Sequence, residues 1–157
     1  MRRKDREVTD YSRMLEMVSG CDCCRLGLID DEGAYMVPLN FGWEDDNGRL
    51  ILYFHGAPEG KKIDLIKKQR TASFEMDCRH ELVENAVGCS YTFNFLSVMG
   101  HGKTSFITEL EDKYHAFRQI FKNYTDKEKD LPMMEKAVAA AAVIKMEVTD
   151  WSAKEHQ

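Results

Sequence analysis

The chain has 157 residues, 43% hydrophobic and 31% charged, with a formal net charge of −5. These shares match those of soluble globular proteins and exclude a disordered chain, a collagen-like repeat and a disulfide scaffold. The length suits a single domain over 1–157, large enough to bury about two thirds of its unfolded surface.

No apolar run approaches the ~20 residues of a membrane span. The basic N-terminal run Met1 to Arg6 lacks the apolar segment of a signal peptide. An acidic balance argues against a nucleic-acid partner, because neutralising phosphates takes a basic face. Five cysteines, an odd number, are expected to stay free in a reducing, cytoplasmic compartment. Three of them cluster as Cys21-Asp22-Cys23-Cys24. No CxxC pair occurs, and adjacent Cys23 and Cys24 would point to opposite faces of a strand. They read as small, buried residues at a helix-to-strand junction, with a soft-metal or redox cluster as the alternative.

In chain order, Thr9-Asp10 can cap a first helix whose stripe is Tyr11, Met14, Leu15 and Val18, and Gly20 can end it. Strand-like runs over 25–30 and 34–43 flank a turn at Asp31-Glu32-Gly33. Asn47-Gly48 then predicts a second hairpin leading into Leu50 to His55. Gly56, Pro58 and Gly60 break that strand, and Lys61 to Gln69 reads as a short helix. Thr71 to Cys78 is a further strand, and the polar stretch over 79–88 reads as a connection. From Cys89 the alternation of Tyr91, Phe93 and Phe95 returns to strand, continuing to Ile107 past a kink near Gly100 and Gly102. Leu110, Tyr114, Phe117, Phe121 and Tyr124 mark a long helix, Pro132 can open a third helix through about Ala141, and Val143 to Thr149 is the last strand. Few helices among six or seven strands of mostly hairpin connectivity indicate an antiparallel barrel with helical decorations.

Residues 35–62 hold most of the chemistry. Pro38 inside Val37-Pro38-Leu39-Asn40 removes a ladder donor, which places it at an edge or a bulge. There, free backbone groups either meet a flat heterocycle or simply guard an edge strand. His55 closes an apolar strand before small residues and can serve as hydrogen-bond donor, acid or base, or as a structural histidine. Lys61 and Lys62 open the short helix, where unpaired N–H groups and the positive dipole end attract phosphate; solvated surface charge is the other reading. Met99-Gly100-His101-Gly102-Lys103, after Ser97, reads as a bulged strand. No Walker loop, GxGxxG, HExxH or GxSxG pattern occurs, which leaves nucleotide-loop, zinc-hydrolase and serine-hydrolase chemistry without support.

The order Val37-Pro38-Leu39-Asn40-Phe41, Tyr53-Phe54-His55-Gly56-Ala57, Gly60-Lys61-Lys62 and Ser97 to Lys103 resembles the flavin-binding split-barrel proteins related to pyridoxamine 5'-phosphate oxidase. Within them it is most similar to the nitroimidazole-resistance subset, over roughly residues 1 to 125. The resemblance implies a mainly β fold: a six-stranded antiparallel split β-barrel with peripheral α-helices. It also implies a homodimer with FMN held at the subunit interface, one site per subunit. Val37, Pro38, Leu39 and Asn40 would lie along the isoalloxazine and ribityl chain, His55 would sit by the ring system, and Tyr53, Phe54 and Gly56 would be further cofactor-binding residues. Lys61 and Lys62 would meet the phosphate, Ser97 and Gly102 would contribute from the barrel strand, and His55 would be the catalytic residue. Where the family often carries an asparagine-proline pair after the short helix, this chain has Gln69-Arg70-Thr71. No pyridoxal-phosphate pocket is recognisable. The expected function is an FMN-dependent, NAD(P)H-linked reductase of nitroimidazoles, nitroaromatics or related small molecules. The alternative is a non-catalytic split barrel that binds flavin, deazaflavin or haem.

Overall fold

The computed structural model describes residues 3–127 and 130–157, so the first two residues of the basic N-terminal run lie outside it. In chain order the elements are β1 (Glu7–Val8), α1 (Tyr11–Ser19), β2 (Cys24–Asp30), β3 (Gly33–Leu39), β4 (Gly42–Asp45), β5 (Leu50–Gly56) and α2 (Lys61–Gln69). Then follow β6 (Thr71–Val83), β7 (Thr92–Ile107), α3 (Leu110–Lys122), α4 (Glu135–Ala140) and β8 (Ala142–His156).

Local chemistry accounts for the first half. The Asp10 side chain accepts from the Arg13 amide at 2.7 Å, a cap that contributes about 1 kcal/mol to α1. Asp31 and Glu32 form the two-residue turn between the paired Asp30 and Gly33. At the second hairpin Asn47 and Gly48 both take positive φ (53° and 86°), and Asp46 and Arg49 exchange backbone hydrogen bonds, the pattern an Asn-Gly turn favours.

All strands join one antiparallel sheet in the order β3-β2-β6-β7-β8-β5-β4, with β1 added to β8. The outermost strands, β3 and β4, are consecutive in sequence and joined only by Asn40-Phe41. A flat sheet cannot satisfy that tether, so it curls until its two edges approach: a split barrel. Inside it Leu26, Phe41, Leu52, Phe54, Phe74, Met76, Leu96, Val98 and Met146 form the core, with Met17 and Val18 of α1 and Ile63 and Ile66 of α2 packed against them. Outside, α3 covers β5 and β8 through Ala116 and Ile120 on Ile51, Tyr53 and Val143. β5 is therefore buried on both faces, which is why Leu50 to Phe54 is a continuous apolar run.

The sheet holds eight strands rather than six. One addition is the two-residue β1. The other arises because the predicted strand over 34–43 is two strands: Phe41, fully buried, turns inward with its amide donating to the Tyr124 hydroxyl at 3.0 Å. The stretch after Cys78 is not a connection, since β6 continues to Val83. A register shift between Cys78 and Glu81, with Arg79 at φ 55°, lets the polar residues stay in the ladder. β8 runs on to His156 because β7 and β1 pair its second half. The third helix begins at Glu135, not Pro132: Met134 is its cap, and Pro132 lies in the non-helical approach. The expected kink near Gly100 and Gly102 is present as a register shift between His101 and Gly102 against β8.

Two contacts seat α3. A Cβ on Gly42 would lie 2.3 Å from the Ile120 amide nitrogen, so only glycine lets the helix lie directly on β4. Buried Lys113 donates to the carbonyls of Ala139 (2.7 Å) and Ala141 (2.8 Å), fastening α3 to the end of α4. Gly42→Ala is expected to lose roughly 1–3 kcal/mol by forcing helix and strand apart. Urea unfolding checks this, and an unchanged midpoint would contradict the close packing.

Candidate functional site

Gly60 caps α2 with no side chain and a φ of 125°, a conformation that glycine alone adopts without strain. The Ile63 and Asp64 amides return to the Gly60 carbonyl, and the first-turn N–H groups of Lys61 and Lys62 have no helical acceptor. The helix therefore presents bare donors and its positive end together.

The two lysines there are not equivalent. The Lys61 ammonium pairs with the Asp30 carboxylate and sits 5.0 Å from the centre of the Tyr35 ring. That contact draws the start of α2 onto the β2–β3 hairpin, holds Lys61 above the usual lysine range and holds Asp30 below the usual carboxylate range. Lys62 is half-buried, and its Nζ lies 2.9 Å from where a Gly56 Cβ would stand. Glycine at 56 thus makes room for the ammonium against the end of β5. Burial pushes Lys62 below the usual lysine range, and no carboxylate pairs with it among the described residues.

His55 precedes that corner. Its ring centre lies 5.2 Å from that of Phe117 on α3, tilted by 49°. Desolvation on that side, reinforced by the Lys62 charge, pushes the imidazole below the ordinary histidine range. It is therefore predominantly neutral at pH 7, with one ring nitrogen donating and the other accepting.

Edge strand β3 carries the other predicted residues. Val37 and Leu39 are half-buried against the core, while Pro38 and Asn40 are exposed. Pro38 faces Arg25 of β2 across the ladder, so the proline does lie on an edge strand. Tyr53 and Phe54 do not present side chains to this corner. Phe54 is fully buried inside the barrel. Tyr53 is buried beneath α3, its hydroxyl donating to Glu44, whose second oxygen lies 2.8 Å from His115 Nε2. Burial, with the Glu44 contact second, pushes the Tyr53 phenol up. β5 can offer backbone there, and the side chain of His55. Ser97 and Gly102 lie on β7, separated from β5 by β8. Gly102 is buried, and a Cβ there would come within 2.4 Å of the Glu147 carbonyl, so glycine is required by the bulge itself.

Asp30 and Tyr35 at the β2–β3 hairpin, His55 and Gly56 at the end of β5 and the first turn of α2 form one corner of the molecule, tied by Lys61 and Lys62, whereas Val37, Pro38, Leu39 and Asn40 lie toward the other end of β3. Sequence reasoning missed Asp30, Tyr35 and Phe117. A carboxylate in a hairpin and an aromatic in a helix stripe carry no local sign of a partner dozens of residues away. A second hollow, of about 400 Å³, lies on the outer sheet face, lined by Met36, Ser73, Met99, His101 and Trp151 among others. Of the clustered cysteines, Cys21 and Cys24 are buried packing, and desolvation pushes both thiols up, away from the reactive thiolate, while Cys23 is half-buried. Among the described residues no group of three or more His, Cys, Asp or Glu could hold a metal ion, and no helix is long and apolar enough to cross a membrane.

Comparison with solved structures places the fold. A candidate 5-nitroimidazole antibiotic resistance protein from Bacteroides thetaiotaomicron is 33% identical, with 94% of this chain and 85% of that chain aligned at a TM-score of 0.81. A flavocytochrome from Azotobacter vinelandii aligns over 100% of this chain and 72% of its own at 19% identity and a TM-score of 0.85. An FAD and haem binding protein from Mycobacterium smegmatis aligns over 97% of this chain and 74% of its own at 16% identity and a TM-score of 0.84. At the identities of these last two, the likeness is one of fold. No curated protein sequence gives a match. The model of the pyridoxamine 5'-phosphate oxidase family matches residues 10–155, and the chain belongs to that family.

Proposed function

We propose that the protein binds FMN as a homodimer and reduces nitroimidazoles, nitroaromatics or related small molecules with electrons from NADH or NADPH. The observation that carries the reading is Lys62: a half-buried ammonium without a counter-charge, beside the uncapped N-terminus of α2. A partly desolvated cation is costly unless an anion joins it, and a phosphate accepting from the helix N–H groups and Lys62 meets that need. The relative described by nitroimidazole resistance supports the substrate class.

The flavin, when bound, supplies the redox chemistry. This chain supplies the rest. Lys62 and the first turn of α2 hold the phosphate, Lys61 keeps the turn pinned to the β2–β3 hairpin, and Val37 to Asn40 present edge backbone to a flat ring. His55, neutral and flanked by Phe117, can donate to or accept from a polar atom beside it. Ser97 and Gly102 belong to this site only if a second copy brings its own β7 to the first. The exposed Ile29 and Met36 and the Met99 on the outer face are apolar surface for such a copy to cover.

Purified protein should be yellow, with flavin absorbance; colourless protein that takes up no added FMN would refute the assignment, and a haem-type band instead would favour a haem-binding barrel. Lys62→Ala should weaken FMN binding roughly 10- to 100-fold, the loss of one charge-assisted contact. Lys61→Ala should cost less, since Asp30 and Tyr35 already engage it, and fluorescence titration compares the two. Equal losses would contradict the division of labour between them.

Removing the Lys62 charge should raise the His55 pKa toward its ordinary value, and so should a phosphate dianion bound beside Lys62. NMR titration of the imidazole in wild type and Lys62→Ala reads this directly. An unmoved His55 would show that the two groups do not interact.

A further inference from the structure

β2 is paired on both sides for only part of its length. Its ladder with β3 runs from Cys24 to Asp30, whereas its ladder with β6 stops at Gly27. Successive residues of an antiparallel strand turn their backbone groups to alternate sides. Ile29 is the next residue after Gly27 to turn away from β3, and no residue of β6 meets it.

The side chain of Gln69, the last residue of α2, fills that place. Its Oε1 accepts from the Ile29 amide at 3.1 Å, and its Nε2 donates to the Ile29 carbonyl. A carboxamide carries the donor and acceptor of a peptide group, so one side chain supplies the missing rung. The root of Gln69 is itself fixed. Ile63 and Ile66 of the same helix are buried in the core, and the Arg70 amide closes the helix on the Ile66 carbonyl at 2.9 Å.

Beyond this rung little packing holds the hairpin. Leu28 is the last buried residue of β2, and Ile29 is 75% exposed. The next residue is Asp30. One of its oxygens accepts from the Asp31 amide at 2.7 Å, and the other pairs with the Lys61 ammonium. Lys68 and Asp31 stand 3.7 Å apart between two exposed ends, a loose contact that adds little. Gln69 therefore grips the residue beside the one that receives Lys61.

We propose that Gln69 is a positioning residue of the phosphate corner: its carboxamide holds the end of β2 so that Asp30 meets Lys61. The proposal rests on the reading of that corner as the FMN phosphate site. Gln69 ties the hairpin to the last turn of α2, and Lys61 ties it to the first. The two contacts act as one unit, since Lys61 has a strut to lean on only while the hairpin is held.

The test compares wild type, Gln69→Met, Lys61→Ala and the double variant, each as the full-length protein. Methionine keeps the length of the side chain and makes neither hydrogen bond. Carboxyl NMR titration should find Asp30 below the ordinary carboxylate range in wild type and raised toward it in Gln69→Met. The groups facing that carboxyl are Lys61, the Asp31 amide and Lys68, none of which the substitution changes. Amide exchange at Ile29 should quicken roughly tenfold in Gln69→Met, the loss of one hydrogen bond, while Leu28, whose backbone turns to β3, keeps its protection. Fluorescence titration should show FMN binding weakened roughly two- to fivefold, the range of one exposed ion pair. The double variant should bind no more weakly than Lys61→Ala, because both changes break the same unit. Gln69→Ala should repeat the Asp30 and Ile29 changes. Unmoved Asp30 or Ile29 in either Gln69 variant, or losses that multiply in the double variant, would overturn the proposal. The Asp30 and Ile29 readings need no flavin. Protein that binds no FMN would thus refute the phosphate reading, while those two readings still decide whether Gln69 positions Lys61.

Discussion

The short link between β3 and β4 governs this molecule. Its two residues tie together strands that stand at opposite ends of the sheet order. Phe41 makes the link rigid: it is fully buried, and its amide donates to the Tyr124 hydroxyl, which in turn donates to the Asp22 carbonyl at 2.9 Å. The region after α3 is thereby bolted to the seam and to the chain just before β2. Because the seam is closed by a tether and not by a continuous ladder, β3 keeps an unpaired edge. The same constraint that shapes the barrel leaves backbone available beside Lys61 and Lys62.

Charge is arranged on a finer scale than the net −5 suggests. Adjacent lysines at the start of α2 have opposite roles because they leave the helix in different directions. One reaches Asp30 and Tyr35 and acts as a strut; the other turns to Gly56, loses solvent and keeps its charge uncompensated. Screening makes the exposed pair a weak contributor to stability. Its value is positional, since it keeps the bare first turn of the helix facing the edge of β3.

Local features were legible in the sequence where one short segment decides them. The capped α1, the Asn-Gly turn, both ends of α2 and the Gly100–Gly102 irregularity all rest on residues within a few positions of one another. β6 beyond Cys78 and β8 beyond Thr149 were not, because their strand character comes from partners far along the chain. Glu81 to Val83 read as polar connection until Thr92 to Asn94 pair with them. Within the candidate site, Lys61, Lys62, His55 and Pro38 could be picked out by residue type and position. What surrounds them could not: Phe117 reaches His55 only because α3 is seated on Gly42, and no pattern near residue 55 records that contact.

The burial of β5 on both faces explains why the corner lies at its end and nowhere else along it. From Leu50 to Phe54 the strand is enclosed, by the barrel on one side and α3 on the other, and no ligand can approach. At His55 the cover thins to a single aromatic ring, and at Gly56 the side chain disappears altogether. Lys62 fills that space from the next element. A change from enclosed to open within two residues gives the imidazole its lowered basicity and the ammonium its partial desolvation, the two properties that a phosphate-bearing, redox-active ligand could exploit. Ser97 and Gly102 stand two strands away on β7, so a site that includes them needs a second chain. In this small barrel, filled by its own side chains, open space lies on the outside and not in the core.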